Sequence, residues 1–564
     1  MRKIKQKAAL GLALTLIAGV VLTGCGTTST PTAATTSSAA TTTSTTPQRG
    51  GIFANWMKDD PKSLDPAHDG DTQSYDVQMN IYDGLLMFDK TGQKVVPDLA
   101  TSMPVVSNNG LTYTFQLRQG VKFHNGDPFT ADDVVYSFNR LAAKNTASEG
   151  EAYYSAIKGM DDVFAGKATS VAGVVKKGEY TVEFDLTAPS RTFLDVIAMP
   201  YAFIVDKKYT SGLANQSDLS AHPIGTGPFK FVEWNKGQDI KLVRNDNYFL
   251  KDANGQQLPY LNGITWSLGY DTPVAFLKFK NGQQDYSWIP TSDFVTTLND
   301  PKLKPDIESL VQNDYWYFAA NNKVAPFNKL KVRQALEYGI DKDAILKLIN
   351  NRGVVANEIL PPNMPAYKAN PAGYTYDVAK AKQLLSEAGY PNGLPGTYPI
   401  IYRQSQITDT IMANIQAQLA TLGIKVTLQA VPFPEYLNVV TQGKGILLLG
   451  HWAQDYPDPD DFLNVLFNTA QIPSNNIVEY SNPNVDKQLN ALGTQQDLQK
   501  AIPGYQAVEK QIMEDAAVVP LYHDQVSYVV QPWVHNAELH SVYPYFYYLT
   551  MWIDQNAKQA GAGK

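Results

Sequence analysis

Between Tyr398 and Leu449 the apolar residues switch repeatedly between a strand period and a helix period, and few architectures accommodate that order. Tyr398 to Tyr402 reads as a strand. Ile411, Ile415, Leu419 and Leu422 then share one helical face that ends at Gly423, and Ile424, Val426 and Leu428 alternate as a second strand. A short helix begins at Pro434, and Ile446 to Leu449 is a wholly apolar strand. Strand, helix, strand, helix, strand in this order predicts a parallel core with helices on its faces. Upstream, helices are predicted over Lys329 to Gly339 and Asp343 to Ile349. A third is capped by Asp377, carries Val378, Ala381, Leu384, Leu385 and Ala388 on one face, and ends at Gly389.

The first half of the chain has a different texture. Tyr113, Phe115 and Leu117 alternate with polar residues, Asn125-Gly126 supplies a turn, and Tyr180 to Leu186 alternates again. Between these runs Thr130 with Asp133 forms a capping-box pattern that opens a helix carrying Val134, Val135, Phe138 and Leu141. Residues 90–219 therefore read as a subdomain of mixed β and α. Gly225-Thr226-Gly227 lacks the third glycine and following helix of a dinucleotide loop, so its glycines are expected to serve a tight turn between strands.

Some 500 residues after Arg49 are too many for one core and suit two or three domains. The only cysteine is Cys25. It follows Arg2, Lys3, Lys5 and Lys7 and an uncharged stretch of 15 residues from Ala8 to Leu22, the pattern of an export signal. A spanning helix needs about 20 such residues. Leu22-Thr23-Gly24-Cys25 reads as a lipoprotein signal, with cleavage before Cys25 and lipid on its thiol. Residues 26–48 hold 15 Ser or Thr among 23 and no charge, the composition of a disordered tether. The signal contains four of the 47 basic and none of the 54 acidic residues, so the chain from Cys25 onward has a formal charge of −11. That sign argues against nucleic acid as a partner.

Several chemistries lack their residues. There is no phosphate loop with Gly-Lys-Ser/Thr, no G-x-S-x-G elbow and no H-E-x-x-H spacing among the seven histidines, so neither catalytic nor metal-ligating residues, nor a cofactor, are expected. Ligands of open α/β sheets settle outside the carboxyl ends of the strands. Directly after the Ile446–Leu449 strand stands Gly450-His451-Trp452-Ala453-Gln454-Asp455-Tyr456-Pro457-Asp458-Pro459-Asp460-Asp461-Phe462. Asp455 lies nearest the strand end between two aromatics. Asp458, Asp460 and Asp461 are expected to cap the helix through Phe462, Leu463 and Leu466. Arg403, after the strand ending at Tyr402, lies at the same edge and reads either as a cation for a ligand carboxylate or as a solvated loop arginine.

These residues, with Asp65-Pro66, Tyr82-Asp83-Gly84-Leu85, Leu117-Arg118-Gln119-Gly120-Val121, Gly225-Thr226-Gly227-Pro228-Phe229, Val332-Arg333-Gln334-Ala335-Leu336 and Glu387-Ala388-Gly389-Tyr390, lie in an order that resembles one family. It is that of the extracellular solute-binding proteins of peptide/nickel-type ABC importers, and the resemblance covers nearly all of residues 50 to 556. It implies a two-lobe periplasmic-binding-protein type II α/β fold with an extra mixed β/α subdomain inserted in the first lobe. The expected divisions are a signal peptide (1–24), a linker (25–48), lobe I (49–89, 220–313 and, with the C-terminal tail, 527–564), the inserted subdomain (90–219) and lobe II (314–526). It implies a monomeric, membrane-tethered extracytoplasmic receptor that passes a small solute, most simply a peptide, to separate permease and ATPase subunits. In peptide-binding relatives the aspartate three residues after the tryptophan holds the ligand's α-ammonium; here that is Asp455, after Trp452.

His451, Trp452 and Tyr456 belong to the same implied site, and Tyr522 resembles a hinge tyrosine near the ligand, with a buried structural role as its alternative. His451 stands between Gly450 and Trp452, where relatives usually have Gly-Trp directly. Rival readings are a sugar receptor, in which Trp316, Trp452 and Tyr456 would stack on rings, a nickel-chelate receptor, and an exported glycosidase with Asp455 in a carboxylate pair.

Overall fold

The computed structural model describes residues 46–561 apart from 69–70, 216–217, 370–372, 541 and 543–544. Cys25, the signal and most of the expected linker lie outside these residues. Among the described residues no helix is long and apolar enough to cross a membrane.

The first lobe is built on a four-stranded sheet. Ile52–Met57 pairs parallel with Gly263–Leu268, which continues antiparallel to Asp239–Arg244 and then Phe229–Asn235. Its inner face buries Phe53, Ile240, Ile264 and Trp266. The inserted subdomain has its own antiparallel sheet in the order Val105–Ser107, Thr112–Gln116, Thr181–Asp185, Val174–Gly178. Against it lies the helix Ala131–Ala142. The Thr130–Asp133 capping box starts this helix, and Phe138 meets Phe184 edge to face at 4.9 Å. Arg140 of the helix then reaches back to Asp65 of the first lobe as a buried ion pair, which ties subdomain to lobe.

The second lobe carries the alternation that opened the sequence. Thr397–Arg403 pairs parallel with Lys425–Val431 on one side and Leu447–Ala453 on the other. The parallel core stops there. Leu447–Ala453 runs antiparallel to Asp314–Ala320, which runs antiparallel to Val519–Val530, so the sheet is mixed. Helices Leu330–Gly339, Val378–Glu387 and Gln406–Thr421 cover one face, burying Val332, Leu385 and Ile415. Phe433–Val440, Pro459–Phe467 and Leu498–Glu514 cover the other. Asp377 and Ser405 cap two of these helices, and the Asp377 helix is followed by Gly389 at φ 95°.

The 12-residue strand Val519–Val530 joins the two lobes. Val519 to Asp524 pairs with second-lobe strands, and Gln525 to Val530 pairs with Ile307–Val311 and Tyr286–Trp288 of the first lobe.

The Gly225–Gly227 turn differs from expectation. Neither glycine has a positive φ, and the turn follows a helix, Asp218–Ala221, not a strand. A Cβ on Gly225 would sit 2.1 Å from the Ile81 carbonyl oxygen, and one on Gly227 would sit 2.5 Å from the Ile81 carbonyl carbon. Close backbone approach, not turn geometry, requires glycine here.

Candidate functional site

The sequence reading places a loop directly after Leu449. The structure instead continues the strand through Ala453, because Asp314 to Tyr317 goes on pairing with Ala453 to Gly450. Strand alternation therefore divides the aromatic residues between two faces. Trp452 points to the same side as its cross-strand partner Tyr315. His451 points to the other side, where it stacks on Trp316 at 4.3 Å and bonds Asp314 through Nε2 at 2.9 Å. Trp316 in turn stacks on Tyr522 at 6.0 Å, so His451, Trp316 and Tyr522 form one column. Gly450 permits the close packing on the Trp452 face, since a Cβ there would lie 2.1 Å from the Tyr317 ring.

The loop proper begins at Gln454 and ends in the helix Pro459–Phe467. Asp458, not Asp460 or Asp461, is its N-cap, accepting from the Asp460 amide at 2.9 Å. Asp461 turns back under the loop, accepting from the Asp455 amide at 2.9 Å and from Trp452 Nε1 at 3.3 Å. Asp460 accepts from the Tyr456 and Tyr505 hydroxyls. Tyr456 is buried with its phenol committed to that bond, and Tyr522 is buried in the sheet column. Arg403 is exposed at the strand end, its guanidinium 4.4 Å from the Phe433 ring centroid.

Asp455 sits where the inserted subdomain meets the second lobe. Tyr153 of the subdomain donates to its carboxylate at 2.6 Å, and the Tyr153 ring stacks on Tyr201 at 6.2 Å. Burial raises the Asp455 pKa to about 6, with the Tyr153 bond acting against that rise. Asp461 is raised well above the usual carboxylate range by burial and by the charge of Asp455. Tyr153 is raised well above the ordinary phenol value by burial and by Asp455. A carboxylate raised by desolvation, with a phenol beside it, gains most from a bound cation. Sequence reasoning missed Tyr153, since nothing in its spacing marks it.

A separate cavity in the first lobe is lined by Asp76, Asp83, Asp98, Tyr248, Phe546 and neighbours, and contains none of the expected site residues. Its three acids are already engaged: Asp83 accepts from Thr226 and Tyr248, Asp76 from Trp266 and Tyr548, and Asp98 from the Gly84 amide. Among the described residues no group of three or more His, Cys, Asp or Glu is placed to hold a metal ion.

The bacterial extracellular solute-binding proteins, family 5 (middle), match residues 94–474 of this sequence. The chain belongs to that family. This solute-binding protein is 30% identical over 482 residues to heme-binding protein A of Haemophilus influenzae, covering 82% of this chain and 85% of that one. In three dimensions it resembles the periplasmic binding protein DppA of Helicobacter pylori in complex with the peptide STSA. That likeness has a TM-score of 0.78 and 28% identity, and covers 90% of this chain and 99% of that one. The murein tripeptide binding protein MppA of Escherichia coli, 25% identical, matches with a TM-score of 0.77 over 90% of this chain and 98% of that one. Its unliganded open form gives 0.69 over 90% and 97%. These neighbours share the type II two-lobe α/β fold, and family members act outside the cytoplasm.

Proposed function

We propose that this solute-binding protein captures a peptide by its free amino terminus and delivers it to the membrane subunits of an ABC importer. The observation that carries the reading is the Asp455 carboxylate of the second lobe, three residues past Trp452, with the Tyr153 hydroxyl of the inserted subdomain 2.6 Å away. An α-ammonium entering there replaces lost hydration with a full opposite charge and a hydrogen-bond acceptor. Trp452 supplies a flat wall beside the ammonium. Arg403, exposed at the adjacent strand end, is a reachable cation for a terminal carboxylate.

Tyr456 and Tyr522 are buried and act from behind this surface, Tyr456 fixing Asp460 and Tyr522 stacking on Trp316, while His451 lies exposed on the face of the strand opposite Trp452. The names of a peptide-bound neighbour and of a tripeptide-binding one support a peptide as solute. The sequence supports lipid on Cys25 as the membrane tether and a monomer as the working form.

Calorimetric titration with peptides carrying free or acetylated amino termini tests this. Asp455→Asn should cost about 2–5 kcal/mol of affinity for free-amino peptides, the range for breaking a buried charge pair. Equal affinity for acetylated and free peptides would remove the ammonium role.

A further inference from the structure

Arg191 of the inserted subdomain is as thoroughly engaged as any side chain described, yet every partner of its guanidinium lies in the second lobe. Nε donates to Asp458 Oδ2 at 2.8 Å and Nη2 to Asp458 Oδ1 at 2.6 Å. Nη2 also donates to the Tyr505 hydroxyl at 2.7 Å, and Nη1 donates to the carbonyl oxygens of Leu492 and Gln495 at 2.6 and 3.3 Å. That accounts for all five donors of the guanidinium. Its backbone amide adds a bond to the Gly493 carbonyl at 3.0 Å, and its guanidinium lies 5.1 Å from the Tyr505 ring centroid. The side chains of Arg191 and Asp458 are 6% and 5% exposed.

This socket lies on a boundary, not inside a core sheet. Among the described residues no strand pairs the inserted subdomain with the second lobe. The subdomain is fastened instead to the first lobe, through the buried Arg140–Asp65 pair. When two lobes part, Arg191 must leave its socket, and both it and Asp458 are rehydrated. The present arrangement also matches MppA less well in its unliganded open form than in its other structure.

We propose that Arg191 is a closure latch, a positioning residue that sets how readily the lobes shut and how long a captured solute stays. It acts through Asp458, which caps the helix whose Asp461 holds the Asp455 amide and the Trp452 indole. Seating Arg191 therefore fixes the loop that carries Asp455. Removing Arg191 leaves Asp458 buried beside Asp195 and Asp460 without their cation, and neutralising Asp458 takes from Arg191 the carboxylate that holds it with two bonds, while the open form loses nothing. This rests on the two lobes closing and not on what they close over.

The test uses the full chain without solute in small-angle X-ray scattering. Arg191→Met should raise the radius of gyration by about 1 Å over the roughly 24 Å expected for a compact body of this size. Asp458→Asn, which keeps a capping side chain and removes the charge, should do the same, and the double variant should do no more than either alone. With a bound peptide, release should quicken about 30-fold or more in each single variant, by a common factor across peptides of different sequence. Scattering unchanged in Asp458→Asn, with cooperative thermal unfolding retained, overturns the latch. A factor that varies from peptide to peptide overturns it too, because it would place Arg191 on the ligand. The solute-free scattering stands even if the peptide assignment fails.

Discussion

If Asp455 accepts the ammonium of a free-amino peptide, lowering the pH from 7 to 5 should weaken capture by about tenfold, because Asp455 titrates between those limits. Burial pushes Asp455 up to about 6 even though Tyr153 donates to it. Asp461 lies against the same loop and is raised further, by burial and by Asp455, so the two acids titrate as a pair and the value near 6 belongs to the first proton lost. An ammonium is held only once that proton has gone. The ionised form is about nine-tenths of the protein at pH 7, half at pH 6 and one-tenth at pH 5, so affinity is near its plateau above 7 and falls about tenfold per unit well below 6. The peptide α-amino group, with a pKa of about 7.7–8.0, remains mostly charged throughout and contributes little to the trend. Binding should release about half a proton at pH 6 and about 0.9 at pH 5. Isothermal titration calorimetry in two buffers of different ionisation enthalpy reads affinity and proton count together. An affinity flat down to pH 5, or proton uptake in place of release, refutes Asp455 as the acceptor; Asp455→Asn should be weak and insensitive to pH.

The remaining expectations concern stability. Arg140→Ala leaves Asp65, whose side chain is 1% exposed, without its counter-charge, and urea denaturation should show a loss of about 3–5 kcal/mol. A loss below about 1 kcal/mol would mean that water reaches Asp65 in the variant. Burial raises Asp76, Asp524, Glu337 and Glu509 to about 7. Each of these acids binds its proton more tightly folded than unfolded, so each costs stability as pH rises from about 4 through 7. His124 and His540 are lowered to about 4 by burial, and each costs stability as pH falls from 6.5 toward 4. The four raised acids outnumber the two lowered histidines, so thermal unfolding across pH 4 to 8 should be highest toward the acid end and fall as pH rises to about 7, and a midpoint that climbs steadily to pH 8 would contradict these shifts.

Much of the second lobe was legible because its signals are local. Asp377 caps, Gly389 follows the helix it ends, and the apolar stripes at Ile411 to Leu419 record a face that is buried whatever covers it. The direction of a strand against its neighbour is not local. The run Ile446 to Leu449 looks equally apolar beside a parallel or an antiparallel partner, so nothing in it announced that Asp314–Ala320 would lie antiparallel along it. The same pairing carries the strand on to Ala453, past the point where its polar residues suggested a loop. The Gly225-Thr226-Gly227 turn fails for a related reason: the atoms that demand glycine belong to Ile81, far upstream in the chain.

The candidate site divides along the same line. Asp455 stands out as a candidate from its place beyond a strand end, within one segment of sequence. Tyr153 is 302 residues away from it, and Arg191 is 267 residues from Asp458, and periodicity says only that a face is covered, never by which segment. His451 shows how far a local anomaly can be interpreted once alternation is known. As a departure beside Trp452 it put the register of the ligand loop in question. In the strand it falls on the face opposite Trp452, against Trp316 and Asp314, beside the strand that joins the lobes. Asp455 still stands three residues past Trp452, at the meeting of subdomain and lobe. The departure therefore bears on the face of the strand that meets Trp316 and Asp314, and leaves the spacing of Asp455 from Trp452 unchanged.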